Sequence, residues 1–482
     1  MQHFEMVIGG KKRASKSQRR LETQNPFTSE TWATVPQADA SDVNDAVDSA
    51  HRSFVEGPWP RLTGKQRGVI LHRVGDLVLK NIESLARWEI RDNGKTISEM
   101  RTQMQTMAQW YHYYAGLADK VHSSVIPVDP ENYFNYTRYE PIGVVAAITP
   151  WNSPLRLLSW KIAPALAAGN TVVVKPSEFT STSTLLFVDL LEEAGVPPGV
   201  VNVLTGYGSE IGPALVQHPL VAKISFTGGV DAGRKVYELA ARHLKPVALE
   251  LGGKSPNIIF EDADLDAAAA GAVGGIFSST GQTCVAGSRL LVQETVLEQI
   301  LEKLVRRGSG MRLGDPLDPA TDIGPVATEQ QFRKILSMID TASSEGARLV
   351  LGGKRSHAPE CGKGWFVEPT IYADVKNTMT ISQQEVFGPV LSVIAFKDEE
   401  DAIRTANATN FGLAGGFWTK DVSRAHRVAA RLQAGTVWIN MYRKTDPAVP
   451  FGGYKTSGLG RESGIDAMKD FLQTKSVWLR LQ

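Results

Sequence analysis

Cysteine is scarce in this chain: Cys284 and Cys361 are the only two in 482 residues. A disulfide framework is excluded, no Cys/His spacing suits a zinc ion, and no metal is expected. Two thiols fit a reducing, cytoplasmic setting. Net charge is equally scarce, since 52 Lys and Arg stand against 51 Asp and Glu, leaving +1. That removes the electrostatic case for nucleic acid or an anionic membrane as partner. The basic cluster Lys11, Lys12, Arg13, with Arg19 and Arg20 nearby, reads as a solvated strand or turn. No apolar run is long enough to span a bilayer; the most apolar stretch, near 267–277, is short and glycine-rich. The opening MQHFEMVIGGKK lacks the apolar core of a signal peptide, and the closing VWLRLQ carries no lipidation motif. Internal repeats and low-complexity linkers are also absent.

The chain is too long for one core, so two or three domains are expected. After a short strand-and-turn start, amphipathic helices are predicted over 41–55, with Ser41 as N-cap, over 63–90 as one helix, and over 96–120. From about residue 142, short β-branched runs (IGVVAAIT, NTVVVKPSE, VVNVLTG, KISFTGG, PVALELGG) alternate with helices such as 180–194 and 209–217. That pattern indicates a doubly wound α/β unit around a parallel sheet. Past residue 253 a second α/β pattern follows, with SPNIIF, RLLVQ, ARLVLGG, FVEPTIYADV, LSVIAF and TVWIN as its strands. The segment 123–141 is strand-like and suited to pair with the terminal TKSVWLRL as an excursion for subunit contact.

Cys284 lies in STGQTCVAGSR, among small flexible residues that let a substrate approach its sulfur. Glu250, in VALELGGKSPN, supplies a carboxylate able to act as base. That pair suits nucleophilic catalysis through a thiohemiacetal or thioester. Free cysteine is also a common core residue, but the Thr, Gln and Gly around Cys284 argue against an apolar core. Cys361, in PECGKGW, sits in a Gly/Pro loop with no chemical partner. The nine histidines show no spacing toward Cys284, which weighs against a Cys–His hydrolase. Asn152, in ITPWNSP just after a strand, suits an oxyanion-hole donor, although taken alone the motif favours an Asn that caps a turn.

The glycine turns fail their formal tests. TGYGSEIG (Gly206, Gly208, Gly212) is one residue too long for the dinucleotide fingerprint. FTGGVDAG (Gly228, Gly233) has P-loop spacing but continues with Arg234 and Lys235. The second still has strand–glycine–helix context and can place backbone N–H groups on a pyrophosphate, or be a plain turn. Lys175 and Glu178, in VVVKPSEFT, stand where ligands of open α/β sheets bind, past the carboxyl end of a strand. A carboxylate there accepts hydrogen bonds from ribose hydroxyls and repels a 2′-phosphate; a solvated charge pair is the alternative.

Taken together these motifs resemble the aldehyde dehydrogenase superfamily. PWN, KPSE, FTGG, LELGGKSP, GQTCVAGSR, EVFGPV, GTVWIN and PFGGYKTSGLGRE occur in that family's order and spacing, from about residue 20 onward. The resemblance implies an α/β fold in three parts. A variant Rossmann cofactor domain covers 1–122 and 142–252, a second open α/β catalytic domain covers 253–455, and a small β oligomerisation extension covers 123–141 and 456–482. By motif position, it implies Cys284 as nucleophile, Asn152 and the Cys284 N–H as oxyanion donors, and Glu250 as general base. Lys161 and Glu462 then help a proton leave Glu250.

The same resemblance assigns a nicotinamide cofactor to Thr149, Pro150 and Trp151, to Lys175, Ser177 and Glu178, and to Gly208 and Gly212. It adds the turn Phe226, Thr227, Gly228, Gly229 and Gly233, then Leu251, Glu385 and Phe387. Glu178 favours NAD, with NADP open because that carboxylate can swing aside. Substrate contacts by position are Ser153, Leu157, Trp160, Thr283, Val285 and Arg443, with Arg156 a further candidate. Two departures stand out: Gly229 where many members have Ser, implying a looser turn, and Ser153 where members acting on apolar aldehydes often have an aromatic.

The implied reaction is aldehyde oxidation to the acid, with the thioester hydrolysed rather than passed to CoA, since Glu250 is commonly absent from the acylating branch. A mid-sized, partly polar aldehyde is expected. The alternatives are a semialdehyde whose carboxylate meets Arg156 or Arg443, cofactor-free esterase action at Cys284, or a non-catalytic binding or structural protein on the same fold. A homodimer or homotetramer is expected from the strand-forming tail.

Overall fold

The computed structural model describes residues 1–129 and 132–482. Its short β-branched runs assemble into two large sheets. The first has eight strands. Its centre is five parallel strands in the order Val247–Glu250, Val221–Thr227, Val144–Ile148, Thr171–Lys175, Val201–Val203. Val144–Ile148 and Thr171–Lys175 are buried at every position, as expected of strands covered on both faces. Met6–Ile8 and Lys11–Arg13 extend one edge antiparallel. The basic cluster is thus a solvated edge strand whose Lys12 pairs with Asp189 and Arg13 with Asp45. On the opposite edge, Gly458–Leu459 pairs antiparallel with Val247–Glu250.

The second sheet runs Arg348–Leu351, Thr370–Ala373, Val390–Phe396, Arg289–Gln293, Pro256–Ile259, Ala414–Trp418, Thr436–Ile439. It is parallel apart from its first pair. The fold is therefore α/β with two open sheets. Ala414–Trp418 escaped the sequence reading because Gly415 and Gly416 dilute its β-branched signal, yet all five residues are buried.

Three helical expectations are refined. The helix Ala40–Val55 is capped by Asp39, which accepts from the Ser41 and Asp42 backbone N–H groups, so Asp39 rather than Ser41 is the N-cap. The stretch 63–90 is two helices, Gly64–Lys80 and Ile82–Asn93, because Asn81 leaves helical geometry and turns its amide back onto the Leu77 carbonyl. Helix Ile97–Leu117 follows and packs on Gly64–Lys80. Across their exposed faces His72 and His112 both meet Asp76, at 3.3 and 3.0 Å.

Among the smaller sheets is a ribbon of Leu472–Arg480, Tyr133–Pro141 and Val125–Ile126, all antiparallel. Residues 130 and 131, inside the segment read as strand-like, lie outside the described residues. Of 456–482, the last strand joins this ribbon, whereas Gly458–Leu459 belongs to the first sheet.

Candidate active site

The parallel register aligns the carboxyl ends of the first sheet. Ile148 lies opposite both Lys175 and Phe226, and Thr227 lies opposite Glu250. The loops beyond these ends therefore share one edge, the usual ligand edge of an open α/β sheet. A cleft of about 170 Å³ opens there. Pro150, Trp151, Asn152 and Leu157 line it from one loop and helix, Thr227, Gly228, Gly229 and Leu251 from the next two strand ends. Cys284, Glu385 and Phe387 close it from the second sheet's side.

Cys284 reaches the cleft on a loop that backbone geometry holds tightly. Ser279 and Thr280 have φ of 56° and 55°, and Gly281 has φ +68° with its α-carbon against the Gly388 carbonyl. A Cβ on Gly281 would come within 2.0 Å of that oxygen, so no other residue fits. The Asn152 amide donates to the Gln282 carbonyl at 3.0 Å, tying the loop after the first strand to the cysteine loop. An amide has two donor hydrogens, so one remains without a protein partner, on a residue that lines the same cleft as Cys284. Burial pushes the Cys284 thiol up to about 12, with the charges of Glu385 and Glu250 adding to it and Arg156 opposing.

Glu250 ends strand Val247–Glu250 fully enclosed, and neither carboxylate oxygen has a hydrogen-bond partner. Burial first, and the charge of Glu462 second, raise its pKa well above the usual carboxylate range; Lys161 and Arg461 act against this. Lys161 is fully buried; its ammonium donates to Glu462, to Thr227 Oγ1 at 2.6 Å and to Ser225 Oγ at 3.4 Å. Ser225 also donates to Glu462 at 3.1 Å. The five residues named for catalysis thus form two linked groups: Cys284 with Asn152 at the cleft, and Glu250 with Lys161 and Glu462 behind it.

The residues named for the cofactor divide similarly. Gly229 is the N-cap of helix Val230–Ala241, and with Gly228 it presents a helix N-terminus to the cleft. Gly233 packs so tightly on Leu251 that a Cβ there would meet its side chain at 2.5 Å. Phe226 packs against Gly228 from below. Trp151 and Phe387 stand edge to face at 5.2 Å. Glu385 accepts the Gly253 N–H at 3.0 Å, and burial raises its pKa. Thr149 donates its backbone N–H to Lys175 at 3.1 Å, and its hydroxyl is buried without a partner.

The buried Lys175 ammonium donates to the Pro176 carbonyl at 2.8 Å and to Glu178 at 3.3 Å, beside the first residue, Gly208, of helix Gly208–Gln217. Ser177 accepts the Phe179 N–H at 3.4 Å in the same turn. This group lies along the sheet edge from the cleft rather than lining it, and Gly212, one turn into its helix, does not line the cleft either.

The substrate candidates do not share one surface. Leu157 lines the cleft with Cys284, and Val285 packs in the core. Trp160 stacks on Trp110 at 5.2 Å and meets Phe451 at 4.9 Å. Ser153 accepts from the buried Lys95 ammonium at 2.6 Å. Thr283 faces a narrow space with Gly253 and Glu385, away from both cavities. Arg156 and Arg443 line a separate cavity of about 490 Å³. The sequence reading missed Gln331 and Lys334 at the cleft, which come from an ordinary amphipathic helix, Glu329–Ser344, and Lys95, which carried no motif.

Comparison with known proteins agrees with this fold. Residues 13–477 match the aldehyde dehydrogenase family. A (Z)-2-((N-methylformamido)methylene)-5-hydroxybutyrolactone dehydrogenase of Acinetobacter baylyi is 44% identical over 483 residues, covering 100% of this chain and 98% of that protein. A betaine aldehyde dehydrogenase of Bacillus subtilis is 45% identical over 94% of this chain and 93% of its own length. Among solved structures, betaine aldehyde dehydrogenase from Staphylococcus aureus in complex with NAD+ superposes with a TM-score of 0.97 at 40% identity, covering 99% of this chain and 95% of that one. The NAD+ complex of an aldehyde dehydrogenase from Bacillus cereus gives the same TM-score at 41% identity, over 100% and 97% of the two chains. With the motifs, the two-sheet fold and full-length likeness in agreement, this chain belongs to the aldehyde dehydrogenase family.

Proposed function

We propose that the protein oxidises an aldehyde to its carboxylic acid with NAD, Cys284 acting as nucleophile and Glu250 as the base of hydrolysis. One observation carries this reading. The Cys284 thiol and the Asn152 amide meet in one cleft, and the buried, unpartnered carboxyl of Glu250 lies close enough for its charge to act on the sulfur.

The residues present fit a dinucleotide. The helix N-terminus at Gly228 and Gly229 suits a pyrophosphate. Lys175 and Glu178 suit the adenosine ribose, Glu178 favouring NAD by repelling a 2′-phosphate. Glu385 and Phe387 suit the nicotinamide ribose and ring. When bound, NAD supplies the acceptor for the hydride released by the substrate carbon held on Cys284.

The protein's own residues do the rest. Cys284 gives up its proton, which Glu250 can accept, and the sulfur bonds to the aldehyde carbon. The free Asn152 N–H and the Cys284 backbone N–H donate to the oxygen that becomes negative. After oxidation Glu250 takes a proton from water, whose oxygen adds to the thioester carbon; the C–S bond breaks and the acid leaves. Lys161 and Glu462 relay that proton from Glu250.

The three-stranded ribbon supports a homo-oligomer. Its edge strand Leu472–Arg480 is nine residues long, with Trp478 and Leu479 exposed. Such an apolar edge calls for a partner. No helix among the described residues is long and apolar enough to cross a membrane. Two unpaired cysteines support a cytoplasmic setting.

The test is NADH appearance with purified protein, NAD and an aldehyde panel, with NADP alongside. Cys284→Ala is expected to abolish it, and Asn152→Ala to slow turnover by about 10²- to 10³-fold. NAD binding without turnover of any aldehyde would overturn the proposal.

A further inference from the structure

Helix Pro154–Ala168 presents consecutive residues to two different spaces. Leu157 faces the cleft with Cys284, while Arg156 faces the larger cavity of about 490 Å³ together with Gln103, Ser279, Tyr442 and Arg443. The charge of the Cys284 sulfur acts on both arginines, and Ser279, which lines the larger cavity, lies in the tight turn that leads to Cys284. The larger cavity therefore borders the loop that carries the nucleophile.

Two guanidinium groups, Arg156 and Arg443, and one carboxylate, Glu99, carry the charge of this cavity wall. Arg156 donates only to Thr445 Oγ1, at 2.7 Å, and its Nε is buried without a partner. Arg443 donates to the Gly274 carbonyl at 3.2 Å and to the Ser279 hydroxyl at 3.4 Å. Neither makes an ion pair with a carboxylate among the described residues. The acid acting on Arg443 is Glu99, whose Oε1 accepts both the N–H and the hydroxyl of Ser279. Lys95 adds a third cation behind them, committed to Ser153.

The three repel one another: Arg443 and Arg156 help lower Lys95 to about 8, and Arg443 helps lower Arg156 to about 10, burial being the larger cause in both. Arg443 also sits at φ +67°, a conformation that costs a non-glycine residue energy and fixes where its side chain departs. A buried guanidinium with an unsatisfied N–H is expensive unless an anion meets it.

We infer that the substrate is an aldehyde carrying a carboxylate, a semialdehyde whose distal carboxylate is bound by Arg156 and Arg443 while its carbonyl reaches Cys284. This rests on the dehydrogenase reading and adds the substrate class to it. Two guanidinium groups match a carboxylate's two oxygens, and no carboxylate among the described residues forms an ion pair with either of them.

The test compares kcat/KM for succinic and glutaric semialdehydes with butanal and pentanal, in the wild-type enzyme and in Arg156→Gln, Arg443→Gln and the corresponding Lys variants. Calorimetric titration of glutarate into the NAD-loaded enzyme runs alongside. The expected result is a semialdehyde preference of about 10²-fold or more, since a hydrogen bond to a charged group is worth roughly ten- to a hundredfold. That preference falls about tenfold or more in each Gln variant and returns in part with Lys. Glutarate binds the wild type and is lost in both Gln variants.

A wild-type enzyme that prefers the neutral aldehydes, or glutarate binding indifferent to both substitutions, overturns the inference. The two readings fail separately. NADH from neutral aldehydes without glutarate binding removes the carboxylate site and leaves the dehydrogenase. Arginine-dependent glutarate binding without turnover of any aldehyde supports the carboxylate site and removes the dehydrogenase.

Discussion

Glu250→Gln is the sharpest probe of the proposed chemistry, because the structure separates what the substitution removes from what it disturbs. Both Glu250 oxygens lack partners, so no existing hydrogen bond is broken. The new amide buries an unsatisfied donor, which costs about 1–3 kcal/mol, while the repulsion from Glu462 disappears. The fold should therefore persist and the loss should read as loss of a proton acceptor. A positioned base contributes about 10²- to 10⁴-fold, or about 2.7–5.5 kcal/mol of barrier.

Stopped-flow mixing with NAD and aldehyde should then show a burst of one NADH per subunit, followed by steady turnover slowed by that factor. The wild type should also show an acidic limb, with kcat rising about tenfold per pH unit until Glu250 is ionised. Burial and Glu462 raise that carboxyl, so the limb lies well above the ordinary carboxylate range. In Glu250→Gln the limb should vanish from the residual rate. Steady turnover within about threefold of wild type would refute the assignment of Glu250. A burst slowed as much as the steady state would instead assign it to activating the thiol.

Two further outcomes test the surroundings. Lys161→Met strands Glu462 in the interior without its cation and is expected to cost about 3–5 kcal/mol, much of it regained in Lys161→Met with Glu462→Gln; thermal inactivation half-lives measure both. Replacing Trp478 and Leu479 by Lys on the exposed ribbon should shift the protein to a smaller species in light scattering, and an unchanged mass would remove the ribbon from the interface.

Much of the site was legible because its residues sit at strand ends, where chain order alone places them. Asn152, Lys175, Thr227 and Glu250 follow successive β-branched runs, and parallel register brings those run ends together. What stayed hidden depended on packing between distant segments. Gln331 and Lys334 look like any solvent-facing positions of an amphipathic helix until the second sheet turns them toward the cleft. The break at Asn81 depends on one amide folding back, which hydrophobic periodicity does not register. Thr283 and Val285 flank the nucleophile in sequence, yet the tight turn at Gly281 sends both away from the arginine-lined cavity.

The pairing of Lys161 with Glu462, 301 residues apart, also orders events during synthesis. The five parallel strands of the first sheet are complete at Glu250, with every strand of the second sheet still untranslated. At that stage Lys161 lacks Glu462, the carboxylate it donates to, and the strand bearing Glu250 has an open edge where Gly458–Leu459 will later lie. Cys284 follows soon afterward. Until residues 458–462 have been made and docked, both the strand that covers the Glu250 edge and the carboxylate that pairs with Lys161 are missing, so the charges of the site take their final places only with the last part of the chain.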